Sequence, residues 1–280
     1  MRTVEPVEAA RPAHPKRPGR RAYLLITLFA VLLVTFPFLF WHGTWFGRKL
    51  TDSQIDGYLG NYVNKPRDAQ HALVQVGERL GDNATRRWYP QVIATTTSSS
   101  LELRQTAAWL MGQDHTYDPF HETLKKLLVD PSPMVRRNAA LSLSNFHDRA
   151  ALPELHAMLL PTTLTTPVAG LVRFRLKEGE YVNPNTLLAH VGDTEVRSQL
   201  PGEVRALRVR EGSSVNTGDA LADIGVDKEH VWEALRALYI IGEDDDIEEV
   251  QRYARGVPGM PEKVQQQATF TLQAIQSRRK

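Results

Sequence analysis

The 280-residue sequence has no cysteine. That excludes disulfides, Cys-ligated zinc, iron–sulfur centres and a thiol nucleophile. Several catalytic signatures are absent as well. None of its nine histidines falls in H-E-x-x-H, and no G-x-S-x-G, P-loop or G-x-G-x-x-G occurs. Charge of one sign is also scarce. The formal net charge is +2, and residues 1–46 supply six basic residues against two acids. The remainder is slightly acidic, so the cations that would follow a nucleic-acid backbone are not on the folded part. A hydrophobic fraction of 42% with 24% charged residues excludes a wholly disordered chain and a multi-pass membrane protein.

One long apolar run is present. Residues 22–46 contain no Asp, Glu, Lys or Arg, and the 20-residue stretch AYLLITLFAVLLVTFPFLFW has the length of a transmembrane helix. Tyr23 stands at one end and Trp41 and Trp45 at the other, as in an interfacial aromatic belt. WHGTWFGRK offers no small-x-small cleavage site, so the expectation is a retained anchor rather than a cleaved signal. Four basic residues within six positions of its start place the N-terminus in the cytoplasm and residues 47–280 outside it, in a periplasm-like space. Residues 1–21, rich in Pro and Arg, read as a disordered basic tail.

Residues 47–161 read as short amphipathic helices with start signals at Thr51-x-x-Gln54, Ser99-x-x-Glu102, Asp118-Pro119 and Ser132-Pro133. A pattern recurs within them. Leu103-Arg104-x-x-Ala107-Ala108-x-x-Met111 reappears 32 positions later as Val135-Arg136-x-x-Ala139-Ala140-x-x-Leu143. A looser copy lies at 66–77. After a gap the pattern resumes as Trp232-Glu233-x-x-Arg236-Ala237-x-x-Ile240 and Val264-Gln265-x-x-Ala268-Thr269-x-x-Leu272, again 32 apart. The step from Val135 to Trp232 is 97 positions, which is one period plus an insertion of 65. Asp130 through Ala140 resembles the D-x-x-x-x-V-R-x-x-A-A of HEAT-like repeats. That resemblance implies an α-solenoid of helix pairs, with residues 150–160 and 229–241 as the two halves of one split hairpin and 228–280 continuing the array.

The inserted segment, 162–227, changes character to alternating apolar runs and Gly turns. It repeats internally: Gly170-Leu171-Val172 parallels Gly202-Glu203-Val204, and Glu178-Gly179-x-x-Val182-Asn183 parallels Glu211-Gly212-x-x-Val215-Asn216. The offset grows from 32 to 33, so one half carries an extra residue. Two such halves resemble the biotinyl/lipoyl-like barrel-sandwich module, found also in membrane-fusion proteins of bacterial exporters. The resemblance implies a flattened β-sandwich of interlocking halves. It does not carry over the cofactor. The hairpin that would hold an acylated lysine is His190-Val191-Gly192-Asp193-Thr194-Glu195, and no lysine lies between Lys177 and Lys228.

Other candidate site residues have simpler readings. His115 and His121 flank Asp118, which is accounted for as a cap, so no metal site is assigned. Glu243-Asp244-Asp245-Asp246 lacks the alternating ligands of a calcium loop, and Asp245-x-x-Glu248 reads as a capping box. Ser98-Ser99-Ser100 is a loop entering a helix. His147, His156 and His230 lie near helix ends. Trp88, Trp109 and Trp232 are candidate exposed anchors, but Trp109 and Trp232 fall inside the repeat pattern and are expected to be buried between repeats.

The fold class expected is therefore α+β multidomain: a single transmembrane helix, then a HEAT-like α-solenoid interrupted by a small all-β lipoyl-like sandwich. The function expected is a membrane-anchored extracytoplasmic scaffold or docking protein for another protein or a membrane complex. The alternative is a periplasmic adaptor, membrane-fusion-protein-like, of an export system. No catalytic, cofactor-binding or metal residue is assigned, nor a nucleic-acid or small-molecule partner.

Overall fold

The structure, a computed structural model, describes residues 26–33, 35 and 48–278. The chain divides into two units, 1–49 and 50–280. In the first, residues 26–33 are helical, and Ile26, Leu28, Phe29, Val31, Leu32 and Leu33 are exposed. Among the described residues no helix is long and apolar enough to cross a membrane. The span expected over 22–46 and the tail 1–21 lie mostly outside the described residues.

The second unit begins with α1 (Asp52–Gly60) and α2 (Pro66–Gly77). Two hairpins and the first half of a third follow: α3 (Tyr89–Thr95) with α4 (Leu101–Met111), α5 (Asp118–Leu127) with α6 (Pro133–Asn145), and α7 (Leu152–Met158). Eight strands intervene before α8 (Lys228–Ile241), α9 (Ile247–Ala254) and α10 (Glu262–Arg278). The second helices stack in series: α2 on α4, α4 on α6, α6 on α8, α8 on α10. Helix α7 packs on α8 although the whole β segment separates them in sequence. One apolar core runs through the ten helices α1 to α10 of the second unit, from Leu50 to Ile275.

The stack forms because Leu103, Ala107, Ala108, Leu110 and Met111 of α4, and Val135, Ala139, Ala140 and Leu143 of α6, lie on buried faces. Small alanines let neighbouring helices approach closely. Close approach also allows side chains to bond across: Ser142 Oγ donates to the Ala108 carbonyl at 2.7 Å, and Thr271 Oγ1 donates to the Leu235 carbonyl at 2.7 Å. A Cβ on Gly112 would lie 2.3 Å from Ser142 Oγ, so glycine is required where α4 ends against α6. Arginines tie the loops. Arg104 holds Asp130 through two hydrogen bonds, at 2.8 and 3.1 Å, and donates to the Ser98 carbonyl. Arg136, one period on, donates to the Asp130 carbonyl and to Glu154.

The repeat after the insertion sits two positions from where the sequence pattern placed it. Ser132 caps α6 and Asp227 caps α8, a step of 95. Ala139, Ala140, Ser142 and Leu143 then correspond to Ala234, Leu235, Ala237 and Leu238, all buried. Arg236 is exposed, and Trp232 and Ile240 are only half-buried. Helix α8 carries apolar residues on more than one stripe, so a short pattern fits it in two registers. Several start signals also shift. The α4 cap is Ser100, the α5 cap is Tyr117, and the acidic box pairs Glu243 with Asp246; the Thr51–Gln54 box stands as read.

The β segment consists of β1 (Thr162–Thr165), β2 (Gly170–Phe174), β3 (Tyr181–Val182), β4 (Leu187–Val191), β5 (Thr194–Arg197), β6 (Gly202–Leu207), β7 (Ser214–Val215) and β8 (Ala220–Ile224). They form two antiparallel four-stranded sheets, ordered β1-β8-β6-β3 and β5-β4-β2-β7. Each sheet takes its end strand, β3 or β7, from the other half of the repeat. The exchange is reciprocal in detail. Glu211 accepts from the Phe174 amide and Glu178 from the Leu207 amide, both at 2.8 Å. The extra residue of the second half is Arg205: Val204 faces Ile224 and Ala206 faces Asp223, leaving Arg205 as a bulge. Gly202 is confined by this packing, because a Cβ there would lie 2.1 Å from the Gly225 carbonyl oxygen. Val172, Val182, Leu188, Val204, Val215 and Leu221 fill a core separate from that of the helices.

Candidate functional site

Helical periodicity that buries positions 107, 108, 110 and 111 turns 106 and 109 to the opposite side of α4. The same offset holds along the stack. Trp109 of α4, Gln113 in the turn after it, Asn138, Leu141 and Asn145 of α6, Glu233, Arg236 and Ile240 of α8, and Gln267, Phe270 and Ala274 of α10 line one groove of about 1090 Å³. Its walls come from both sides of the inserted β segment. A smaller recess beside it is lined by Gln105, Thr106, Trp109 and Asn138.

The groove is aromatic and amide-rich. Trp109, Tyr239 and Phe270 are 49%, 49% and 57% exposed. Trp109 rests its edge on Gly77 of α2, where a Cβ would lie 3.3 Å away. It is thus not buried between repeats as the pattern implied; position 109 lies between the buried pairs Ala107-Ala108 and Leu110-Met111, on the outward face. The amides are oriented. Asn138 Nδ2 donates to the Gln105 carbonyl and Asn145 Nδ2 to the Gly112 carbonyl, each at 3.1 Å. Glu233 and Arg236 are the two charged side chains lining the groove. The Arg236 guanidinium lies over the Trp232 ring, 4.9 Å from its centroid, with Lys263 5.2 Å from the same centroid. Burial, reinforced by Glu229 and Asp227, pushes the Glu233 pKa up, while Arg236 opposes the shift.

A second polar cluster forms where the β segment rejoins the helices. Tyr181 of β3 donates to Asp227 Oδ2 at 2.6 Å, and Asp227 Oδ1 caps the His230 amide at 2.9 Å. Arg137 of α6, 5% exposed, reaches His230 Nδ1 at 3.0 Å, and Glu154 of α7 lies 3.9 Å from its Nε. Burial, aided by the Arg137 charge, lowers the His230 pKa. Burial works against the Asp227 carboxylate, yet the Tyr181 hydroxyl and the His230 amide hold its pKa below the usual range.

The remaining sequence candidates are not brought together. His121 pairs with Asp148 at 2.7 Å and stacks on Phe146, while His115 meets Phe146 edge-on. His156 bonds to Asp246, and His147 lies in the positive-φ region. Trp88 is buried, its Nε1 donating to Asp56 at 2.7 Å. Among the described residues no group of three His, Asp or Glu is placed to hold a metal. The hairpin at 190–195 is β4 turning into β5 through Gly192-Asp193. Sequence reasoning missed Leu141, Asn138, Asn145, Tyr239 and Phe270. The signal was available: each occupies the face opposite the repeated alanines.

No curated protein matches the chain. A family model described as HEAT repeats matches residues 89–163, the span from α3 through α7 into β1, so these helices are HEAT-like repeats.

Proposed function

We propose that the protein is a membrane-anchored scaffold whose HEAT-like groove docks another protein or a membrane complex on the extracytoplasmic side. The observation that carries this reading is the groove itself, with three half-exposed aromatic rings on a wall assembled from four stacked helices. Exposed apolar surface of this kind, mixed with polar groups, marks interaction sites. Repeat stacks present extended surfaces suited to partners. Anchoring rests on the uncharged run 22–46 and on the exposed apolar side chains of residues 26–33. Orientation rests on the basic residues that precede the run. No catalytic step belongs to this reading.

The β segment is read as a non-acylated lipoyl-like module that acts as a rigid body. Its reciprocal strand exchange supports this, and its turn at Gly192-Asp193 offers no lysine for acylation. A second reading, an adaptor of an export system, draws on the same module next to an anchor. It is the weaker one because the hairpin between the halves is only β4 and β5.

Photocrosslinking amino acids at Leu141 and Tyr239, on opposite sides of the insertion, test docking in native membranes. The expected result is the same adduct from both positions and none from exposed Lys126 on α5. Adducts from Lys126 equal to those from the groove would contradict it. Resistance of the full chain to alkaline extraction tests the anchor.

A further inference from the structure

We propose that the groove takes an extended segment of a protein partner that sets a lysine or arginine against Glu233, with apolar side chains on Trp109 and on Phe270. This rests on the docking reading above. Glu233 makes no ion pair with any described residue, and it is half-buried on the wall. Its one cationic neighbour in the groove, Arg236, already lies over Trp232. Glu229, one turn away, is neutralised by Lys263 at 2.6 Å. A half-buried carboxylate without an ion pair favours a cationic guest through charge-assisted hydrogen bonding. Nothing in the groove clusters positive charge, so polyanions find no counterpart.

The polar walls select a backbone. Asn138 and Asn145 spend their Nδ2 groups on the carbonyls of Gln105 and Gly112, which leaves the Oδ1 acceptors for guest N–H groups. An extended peptide has such donors at regular spacing. The geometry also sets a register. Packed helices lie roughly 8–10 Å apart, and an extended chain rises about 3.3 Å per residue. One helix therefore corresponds to about three residues. Glu233 on α8 is one helix from Phe270 on α10 and two from Trp109 on α4. The guest then reads apolar, about six positions to the basic residue, about three more to a second apolar residue, or the reverse order.

The test uses the full chain and synthetic ten-residue peptides, Leu-x5-Lys-x2-Leu and its reverse, with the central position varied among Lys, Arg, Gln and Glu. Affinity is read by fluorescence anisotropy. Lys and Arg peptides are expected to bind at least tenfold tighter than Gln, and Glu weakest. Glu233→Lys is expected to invert that order, and Trp109→Ala or Phe270→Ala to weaken the Lys peptide at least fivefold. Glu233→Gln, which keeps shape, is expected to flatten the ranking without altering the thermal melt. A ranking indifferent to Glu233→Lys, or no binding by any peptide, overturns the proposal. So does sedimentation showing self-association that the groove substitutions abolish, since the occupant would then be a second copy. Crosslinks at Leu141 and Tyr239 that survive Glu233→Lys would sink the basic-segment inference and leave docking standing.

Discussion

The two repeated regions of this protein dispose of their repetition in opposite ways. In the β segment each half gives its short strand to the other half's sheet, and the Glu178 and Glu211 side chains close the exchange. Two copies satisfy one another. The helical stack has no such closure. Each hairpin buries its alanine face on the next, and the opposite face of every second helix remains open. Repetition that closes makes a rigid body, whereas repetition that continues makes a surface.

That comparison can be broken from either side. The largest effect is expected in the β segment from Gly202→Ala, whose Cβ would meet the Gly225 carbonyl oxygen and Ile224. A cost of roughly 3 kcal/mol is expected, measured by denaturant unfolding, with hydrogen exchange accelerating in 162–227 and not in α4 or α6. Next, Arg104→Ala removes the partner of Asp130, whose side chain is 6% exposed, and frees the Ser98 carbonyl. A loss of about 2 kcal/mol is expected, this time opening the helices and sparing the β segment. Equal loss of protection in both regions, from either variant, would mean that they are not separate cores.

The junction gives a smaller, pH-dependent effect. The folded-state pKa of His230 lies below its unfolded value, so the unfolded chain binds more protons as pH falls below about 6.5. Stability should therefore decline from pH 7 toward pH 5, and His230→Gln should flatten that decline. An unchanged slope would remove His230 from the account. The depressed Asp227 pKa acts lower. Its contribution is present above about pH 4 and is lost as pH falls through the folded value. Smallest of all, Lys125→Ala deletes an exposed pair with Glu122 and should change stability by less than about 0.5 kcal/mol.

Much of the stack could be read from the sequence because its period is carried by buried residues. Arg104 and Arg136 stand 32 apart and make corresponding bonds to the carbonyls of Ser98 and Asp130. The same logic misled at α8, where Trp232, Arg236 and Ile240 mimic the buried pattern two positions out of register. Hydroxyls locate the true register: Ser142 and Thr271 bond equivalent carbonyls, Ala108 and Leu235. In the β segment the change of offset from 32 to 33 was visible, but only strand pairing assigns it to a bulge at Arg205. The groove was the least legible part. Trp109 falls within the repeated pattern, although its angular position sets it on the other face. The polar junction of Tyr181, Asp227, His230 and Arg137 joins residues far apart in sequence, and no local pattern announces it.

Helices α7 and α8 form one hairpin, so that helices before and after the β segment make a single groove. Excision tests it most directly: residues 162–226 are replaced by a short Gly-Ser turn, and hydrogen exchange is followed in α6, α8 and α10. Retained protection in all three helices, with Trp109 fluorescence unchanged, is the predicted result. Loss of protection confined to α8, α9 and α10 would contradict the account, because those helices would then owe their order to the β segment rather than to the stack.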